Sequence, residues 1–403
     1  MVVECGRLLA ERKPFGDGDL VISEVDLHNV SRERRIKNTF TKDTFGMEFS
    51  EIEFDLEVCD TVLTRSVEPH PFVPAESPEK AARCERILDI QSLGLARRIE
   101  ASYAKKAVVG ISGGLDSCLA ILVMARAMDY LGRDRKDIIA VTMPCFGTTG
   151  RTKNNATVLC EALGVDFREV NIFAAVEQHF KDIGHDMNNH NVVYENAQAR
   201  ERTQVLMDIA NAEGGIVVGT GDLSELALGW ATYNGDHMSM YGVNSSLPKT
   251  LIRHVVRHCA DSAKAKGEDA LATSLYDILD TPVSPELLPA KDNGEIAQVT
   301  EDLVGPYELH DFYIFNFVRY GYSPKKIFRL ARIAFNGVYD DATLIKWLEV
   351  FARRFFAQQF KRSCMPDGPK VGSVGLSYND FKMPSDATSA IWLDEIAEIK
   401  AEL

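Results

Sequence analysis

Short apolar runs alternate with longer amphipathic stretches through the middle of the chain. Four runs have the length and β-branched composition of buried strands: AVVGI (107–111), IIAVTM (138–143), FREVNI (167–172) and GIVVGT (215–220). Helical periodicity marks the stretches at about 78–104, from 113, at 151–163 and at 194–213. This alternation predicts an α/β fold, a doubly wound parallel sheet with helices on both faces and ligands at the carboxyl ends of its strands.

The two ends of the chain have different patterns. Residues 1–65 predict a β-rich segment with strands in VVEC, DLVISEVDL and MEFSEIEFDLEVC, and no substantial helical pattern covers them. Because an open sheet edge would be exposed, we expect this segment to dock against something larger. Residues 66–78 are proline-rich and indicate a linker, and Ser77, Pro78 and Glu79 predict a helix start. The third unit is 79–403, which is mostly helical beyond about residue 250.

Composition narrows the class of protein. A chain of 403 residues could hold two to three domains, and 45% hydrophobic residues are enough to build their cores. The eight cysteines show no CxxC pair, which predicts reduced thiols and no metal bound by sulfur. A formal net charge of −14 argues against a nucleic-acid partner. Without a signal peptide or a long apolar run, the expectation is a cytoplasmic protein with no membrane association.

The sequence SGGLDS lies where a predicted buried strand meets a predicted helix. Unpaired N–H groups and the positive end of the helix dipole meet there, and glycines let a phosphate approach. An alternative is a tight turn in which Ser112 caps the helix. Asp116, in the first turn, would repel a phosphate unless a cation lay between them, so we infer Mg²⁺.

A second motif, GTGDLSELALGWATYNGDHMSMYGVN, follows the strand GIVVGT and should reach the same sheet edge. Its Glu225 could meet the same magnesium ion, and the Thr220 hydroxyl could contact ATP. Trp230 and Tyr233 offer flat surfaces for a pyridine or purine ring. The alternative is that the two aromatic residues are core residues and that Glu225 is a solvated surface residue.

SGGLDS is not a Walker motif, because GxxxxGK[ST] is absent. It resembles the SGGxDS signature of the pyrophosphate-loop ATP pyrophosphatases, which cleave ATP between the α and β phosphates. Over residues 66–390 the chain resembles the synthetase domain of the glutamine-dependent NAD synthetases. The motifs that carry this resemblance are SGGLDS, MPCFGTTGRTKNNA, YENAQARERTQ, GTGDLSELALGWATY, VNSSLPKTLIRHVVR and FKRSCMPDGPKVG.

The resemblance implies an adenine nucleotide alpha hydrolase-like fold and a set of site residues. ATP would contact Gly110, Ile111, Ser112, Gly113, Gly114, Leu115, Asp116, Ser117, Thr220, Lys249 and Ser284. Nicotinate adenine dinucleotide (deamido-NAD) would contact Asn196, Arg200, Glu225, Trp230, Ala231, Thr232, Tyr233 and Lys361. Asp116 and Glu225 would hold Mg²⁺ and, with Lys249, would be the catalytic residues.

Two features of the residues bear on this assignment. Asn196 and Arg200 are four apart and therefore share one helix face; the alternative is that Arg200 and Arg202 are solvated helix charges paired with Glu201 or Glu195. The ammonia-dependent branch of the family has a lysine eight positions after the motif glutamate. Here that position is Tyr233, which favours the glutamine-dependent branch.

The opening segment resembles the last strands of the nitrilase-like glutaminase domain of that branch. Its Glu, Lys and Cys set would lie upstream of Met1, and none of Cys5, Cys59 or Cys84 has the context of the nucleophile. The expectation is a fragment that uses free ammonia, whose functional partner is the missing glutaminase domain. The family also implies a homo-oligomer. The alternatives are a GMP synthetase-like amidotransferase and a non-catalytic nucleotide-binding scaffold.

Overall fold

The computed structural model describes residues 1–13, 15, 20–37, 39, 46–48, 50–55, 57, 62–74, 79–146, 150–281, 287 and 300–403, without the side chains of residues 150–152. At the N-terminus, β1 (Val2–Glu4) and β2 (Arg7–Ala10) form an antiparallel pair. They are followed by helix α1 (Leu27–Ile36).

The prediction of further strands in the N-terminal segment is wrong for its described residues. DLVISEVDL has no strand at 20–26, and its last residue opens α1, whose first turn is capped by the Asp26 carboxylate accepting from the N–H of Asn29. The same carboxylate also accepts from Tyr322 and Lys326 in the C-terminal part. The described residues of MEFSEIEFDLEVC are likewise not in a strand. Capping and side-chain contacts therefore replace the expected sheet ladder.

In the part of the chain that the structure describes, five parallel strands make the central sheet. They are β3 (Ala107–Gly110), β4 (Ile138–Thr142), β5 (Asp166–Glu169), β6 (Ile216–Gly219) and β7 (Tyr241–Gly242), in the order β5-β4-β3-β6-β7. After β3, the chain adds β4 and β5 on one side of it, and then adds β6 and β7 on the other side. The switch point of the sheet therefore lies between the carboxyl ends of β3 and β6, which is where open α/β sheets bind ligands.

Within the described residues, seven helices belong to this α/β unit. α2 (Glu79–Ser102) precedes it, and Ser77 and Pro78, the predicted start, lie outside the described residues. α3 (Leu115–Leu131), α4 (Gly150–Leu163), α5 (Phe173–Ile183), α6 (Val192–Glu213), α7 (Leu223–Leu228) and α8 (Lys249–Ala265) follow. The sequence pattern missed α5 and β7.

Alternate residues of the strands belong to two cores. Val108 packs with Val176 of α5 and Ala210 of α6. Ala107 and Val109 pack with α2, α3 and α8 on the opposite face. The doubly wound sheet with helices on both faces is thereby confirmed.

The C-terminal part is helical, as predicted. It contains α9 (Asp269–Leu279), α10 (Thr300–Val304), α11 (Tyr307–Ile314), α12 (Pro324–Ala334), α13 (Asp341–Ala357), α14 (Gln359–Arg362) and α15 (Ala390–Glu402), with a π-helical turn at Phe315–Arg319 after α11. Phe328 of α12 and Phe351 and Phe355 of α13 are buried, so these aromatic side chains are core residues. Among the described helices, none combines the length and the apolar character that a membrane span requires.

Candidate active site

The SGGLDS loop connects β3 to α3 and forms its own hydrogen-bonded turn. Gly113 has a positive φ of 83°, a backbone conformation that favours glycine. The Ser112 hydroxyl accepts from the N–H of Gly114, and the Ser117 hydroxyl donates to the Gly114 carbonyl. The interpretation of Ser112 as the helix cap is wrong, because the N-cap is Gly114 and no side chain caps α3 there. The start of α3 thus presents backbone N–H groups that could donate hydrogen bonds to an anion.

A single lysine lies among three carboxylates at the switch point. The ammonium of Lys249 is 2.6 Å from Asp116 Oδ2, 2.7 Å from Asp222 Oδ2 and 2.9 Å from Glu225 Oε1. Asp116, Asp222 and Glu225 are called the carboxylate cluster below. The lysine is buried, and the cluster brings together the first turns of α3, α7 and α8. The two predicted motifs therefore meet at one charged centre.

Burial and mutual charge control the protonation of this centre. Burial would lower the pKa of Lys249, but the negative charges of the carboxylate cluster outweigh it, so the pKa is raised and the lysine stays charged. Burial, reinforced by the charge of Asp116, raises the pKa of Glu225 to about 7 despite the nearby ammonium. One cation thus does not fully compensate three carboxylates, and the centre favours a second positive charge or a proton.

The cluster fits a divalent cation. One oxygen from each of the three carboxylates lies within 4.8 Å of the others. Asp116 Oδ1 is buried and has no hydrogen-bond partner among the described residues. Carboxylate oxygens are the ligands that Mg²⁺ prefers, and an unpartnered buried oxygen is available for one.

Asp222 is a member of the cluster that the sequence reasoning missed. Its carboxylate accepts from the N–H of Glu225 at 2.8 Å, and the Glu225 carboxylate accepts from the N–H of Asp222 at 3.4 Å, which together form a capping box at the start of α7. The signal was present as the D-x-x-E spacing in GTGDLSE. A capping box alone, however, does not tell which carboxylates face a ligand.

Asn244 joins the two loops and was also missed. Its buried amide donates to the carbonyl of Asp116 and to the carbonyl of Thr220, both at 3.0 Å. Gln91 of α2 donates to the Asn244 amide oxygen and so orients it. The start of α3 and the end of β6 are therefore fixed relative to each other by one amide.

The residues predicted to hold deamido-NAD gather around a second feature, the segment Gly229–Tyr233, called the 229–233 segment below. Lys361 donates to the carbonyls of Gly229 and Ala231 at 2.8 and 2.6 Å. Arg200 donates to the carbonyl of Tyr233, and the Thr232 hydroxyl donates to the amide oxygen of Asn196. In this structure these three side chains shape the segment.

The remaining predicted residues occupy different environments. The Trp230 ring lies under the guanidinium of Arg354 at 5.1 Å, while Tyr233 is 39% exposed and its ring faces outward beside His237 and Phe360. Ile111 and Leu115 are buried core side chains, so only their backbone could face a ligand. Ser284 lies outside the described residues.

Comparison with known proteins finds sequence similarity to NAD synthetases. Residues 87–265 match the family model described as NAD synthase. The chain is 42% identical to the glutamine-dependent NAD(+) synthetase of Mycobacterium leprae and 41% identical to that of Mycobacterium tuberculosis, in each case over 98% of this chain and 62% of the relative. The protein of the same name from Aquifex aeolicus is 24% identical over 94% of this chain. The chain thus spans about three fifths of the length of these relatives.

A solved structure supports the fold. The crystal structure of a glutamine-dependent NAD(+) synthetase from Cytophaga hutchinsonii superposes with a TM-score of 0.63, covering 78% of this chain and 56% of that one. Because the two sequences are 17% identical, this likeness concerns the fold alone.

Proposed function

We propose that this chain is the synthetase part of a glutamine-dependent NAD synthetase, which converts deamido-NAD to NAD with ATP and releases AMP and pyrophosphate. The observation that carries the proposal is the lysine enclosed by the carboxylate cluster at the switch point, where SGGLDS and GTGDLSE meet. It occurs in a chain with 42% identity to an NAD(+) synthetase along almost its whole length.

ATP would bind with its phosphates at the start of α3. The backbone N–H groups of this first turn and the helix dipole favour the negative charge of a phosphate. A larger residue at position 114 would crowd this loop, since a Cβ there would lie 3.2 Å from the Ser112 hydroxyl oxygen. The ammonium of Lys249 would contact the phosphates from the other side and stabilise the charge that develops on the departing pyrophosphate.

Mg²⁺ would be held by Asp116 and Glu225, next to Asp222. When bound, it would neutralise phosphate charge and polarise the phosphorus centre under attack. The unpartnered oxygen of Asp116 and the raised pKa of Glu225 support this assignment. Asp222, which is completely buried and engaged in the capping box, would orient Glu225.

The 229–233 segment would place deamido-NAD. Trp230 and Tyr233 supply aromatic surfaces for the dinucleotide, and Arg200 supplies a cation suited to its carboxylate or phosphates. An oxygen of the nicotinate carboxylate would attack the α phosphate of ATP, and the bond to the pyrophosphate would break. Ammonia would then attack the carboxyl carbon of the acyl adenylate. AMP would leave carrying the carboxylate oxygen that had attacked the α phosphate, and the nitrogen would lose a proton to give the amide. Holding both substrates in one cleft lowers the entropic cost of their encounter.

The nitrogen of the new amide comes from ammonia. We expect the synthetase site to accept free ammonia or ammonia released from glutamine by a glutaminase domain. A cytoplasmic location and a homo-oligomeric assembly belong to the same proposal, and they follow from the metabolic role and from the family resemblance.

The experiment is an assay of the purified chain with ATP, Mg²⁺, ammonium and deamido-NAD. Equal amounts of NAD, AMP and pyrophosphate are expected. If xanthosine monophosphate were aminated instead, the chain would be a GMP synthetase-like enzyme. Binding of ATP without formation of AMP would indicate the non-catalytic scaffold.

A further inference from the structure

Helix α8, which begins with Lys249, is not capped by the residue before it. Pro248 occupies the N-cap position with extended backbone and makes no side-chain capping bond. The first N–H groups of a helix have no partner inside the helix, and buried ones require a partner from elsewhere. Here the N–H of Lys249 donates to the hydroxyl of Ser224 at 2.9 Å, and the N–H of Thr250 donates to Asp311 Oδ2 at 3.1 Å.

Asp311 organises both of these contacts. Its carboxylate is 2% exposed, and it accepts from the Thr250 hydroxyl at 2.6 Å and from the Ser224 hydroxyl at 2.5 Å. A hydroxyl can donate only one hydrogen bond, and Ser224 donates its bond to the Asp311 carboxylate. The oxygen of Ser224 is thereby left as the acceptor for the N–H of Lys249. One carboxylate on α11 therefore caps α8 directly through Thr250 and indirectly through Ser224.

Helix α11 also contacts the side-chain ammonium of Lys249. Tyr307 lies four residues before Asp311 on α11, so the two share one face. Its ring centroid is 5.3 Å from the Lys249 ammonium. Helix α11 consequently contacts the Lys249 ammonium through Tyr307 and is linked to the Lys249 backbone N–H through the hydroxyl of Ser224, although α11 contributes no member of the carboxylate cluster.

We propose that Asp311 is a positioning residue for the synthetase reaction. Through Ser224 and Thr250 it fixes the first turn of α8, so that the ammonium of Lys249 lies within the carboxylate cluster and faces the phosphates of ATP. This inference rests on the proposed function, and it adds a residue from the helical C-terminal part to a site otherwise built on the sheet. A displacement of about 1 Å at such a site is enough to slow a reaction strongly.

The first test is the variant Asp311→Asn, which has nearly the same size but presents an amide NH₂ group to a donor. We expect kcat to fall by about 10- to 100-fold, as for other residues that orient ligating side chains. The KM for deamido-NAD should stay the same, because the 229–233 segment is not contacted. A wild-type kcat in the folded variant would overturn the proposal.

Tyr313→Phe is the matched control on the same helix. It removes a buried hydrogen bond from the Tyr313 hydroxyl to the carbonyl of Leu344 (2.9 Å) and touches no residue of the site. We expect a lower melting temperature with an unchanged kcat. If both variants lost stability and neither lost kcat, Asp311 would be a structural residue only.

Ser224→Ala removes the acceptor of the Lys249 N–H and leaves the Asp311 carboxylate bonded to Thr250. The crystal structure of this variant is a measurement independent of activity. We expect Lys249 Nζ to leave at least one of its three contacts of 2.6 to 2.9 Å. Unchanged contacts would overturn the proposal. If the wild-type chain made no NAD, the proposed function would fail, and this structural result would still decide the role of Asp311 in placing the lysine.

Discussion

The carboxylate cluster and the 229–233 segment use positive side chains in opposite ways. In the cluster, Lys249 contacts three acidic side chains. In the segment, Lys361 and Arg200 donate to neutral backbone carbonyls. The cluster can therefore exchange partners with a charged ligand, while the segment uses its cations to hold a backbone shape.

The difference leads to separate expectations for chemistry and binding. A change in the cluster should affect the reaction of phosphates, because electrostatic stabilisation is the main contribution of such groups. A change around the segment should affect the fit of the dinucleotide. The predictions below test this division, beginning with the largest expected effect.

Lys249→Gln should give the largest loss of stability. It removes from the carboxylate cluster its one cation among the described residues, and breaking a buried ion pair costs about 3 to 5 kcal/mol of unfolding free energy. Denaturant unfolding measures the change. Lys106→Gln is the control, since Lys106 and Asp137 form a partly exposed pair worth about 1 kcal/mol or less. Equal losses for the two variants would contradict the buried charge balance described here.

Asp116→Asn should lower activity far more than stability. Loss of a magnesium ligand beside the phosphates is expected to cost about 3 kcal/mol of transition-state stabilisation, or about 100-fold in kcat. Asp129→Asn, in the last turn of the same helix, removes an exposed pair with Arg135 and should leave kcat unchanged. Wild-type turnover by Asp116→Asn would refute the metal role.

Lys361→Met should have a smaller effect of a different kind. Two carbonyls of the 229–233 segment lose their donor, which costs about 1 to 3 kcal/mol in stability. The KM for deamido-NAD should rise more than kcat falls. Lys400→Met, which breaks a surface pair with Glu349, is the control. If kcat fell and KM did not change, Lys361 would act in the chemistry and the division would be wrong.

The pH dependence of magnesium binding gives the smallest effect. The pKa of Glu225 is raised to about 7, so its carboxylate is protonated below that pH and a bound cation must displace the proton. The affinity for Mg²⁺ should therefore fall by up to about tenfold for each pH unit below 7. Calorimetry in buffers of different ionisation enthalpy measures the proton release. An affinity independent of pH between 5.5 and 7.5 would contradict this assignment.

The sequence predicted the sheet because apolar strands and helices of the α/β kind have distinct periods. SGGLDS and GTGDLSE were assigned to the same edge because parallel strands end together. Asp116, Glu225 and Lys249 accordingly lie in one centre. The roles assigned to these residues stay predictions.

What the sequence could not provide was contact between distant elements. Asp311 lies 87 positions after Ser224, and Asn244 lies 128 positions after Asp116, so no local pattern links them. DLVISEVDL was predicted wrongly as a strand because its alternating pattern suggested a sheet ladder, whereas the Asp26 cap starts a helix. The side chains around Tyr233 were expected to bind substrate directly, and that stays a prediction; the structure shows that they hold the segment itself.

The central claim is that a carboxylate is activated by adenylation in this site. The most direct measurement uses deamido-NAD labelled with ¹⁸O in the nicotinate carboxylate, together with ATP, Mg²⁺ and ammonium. The account predicts that mass spectrometry will find one labelled oxygen in AMP and none in pyrophosphate. Unlabelled AMP formed together with NAD would contradict it, because the carboxylate oxygen would then not have attacked the α phosphate.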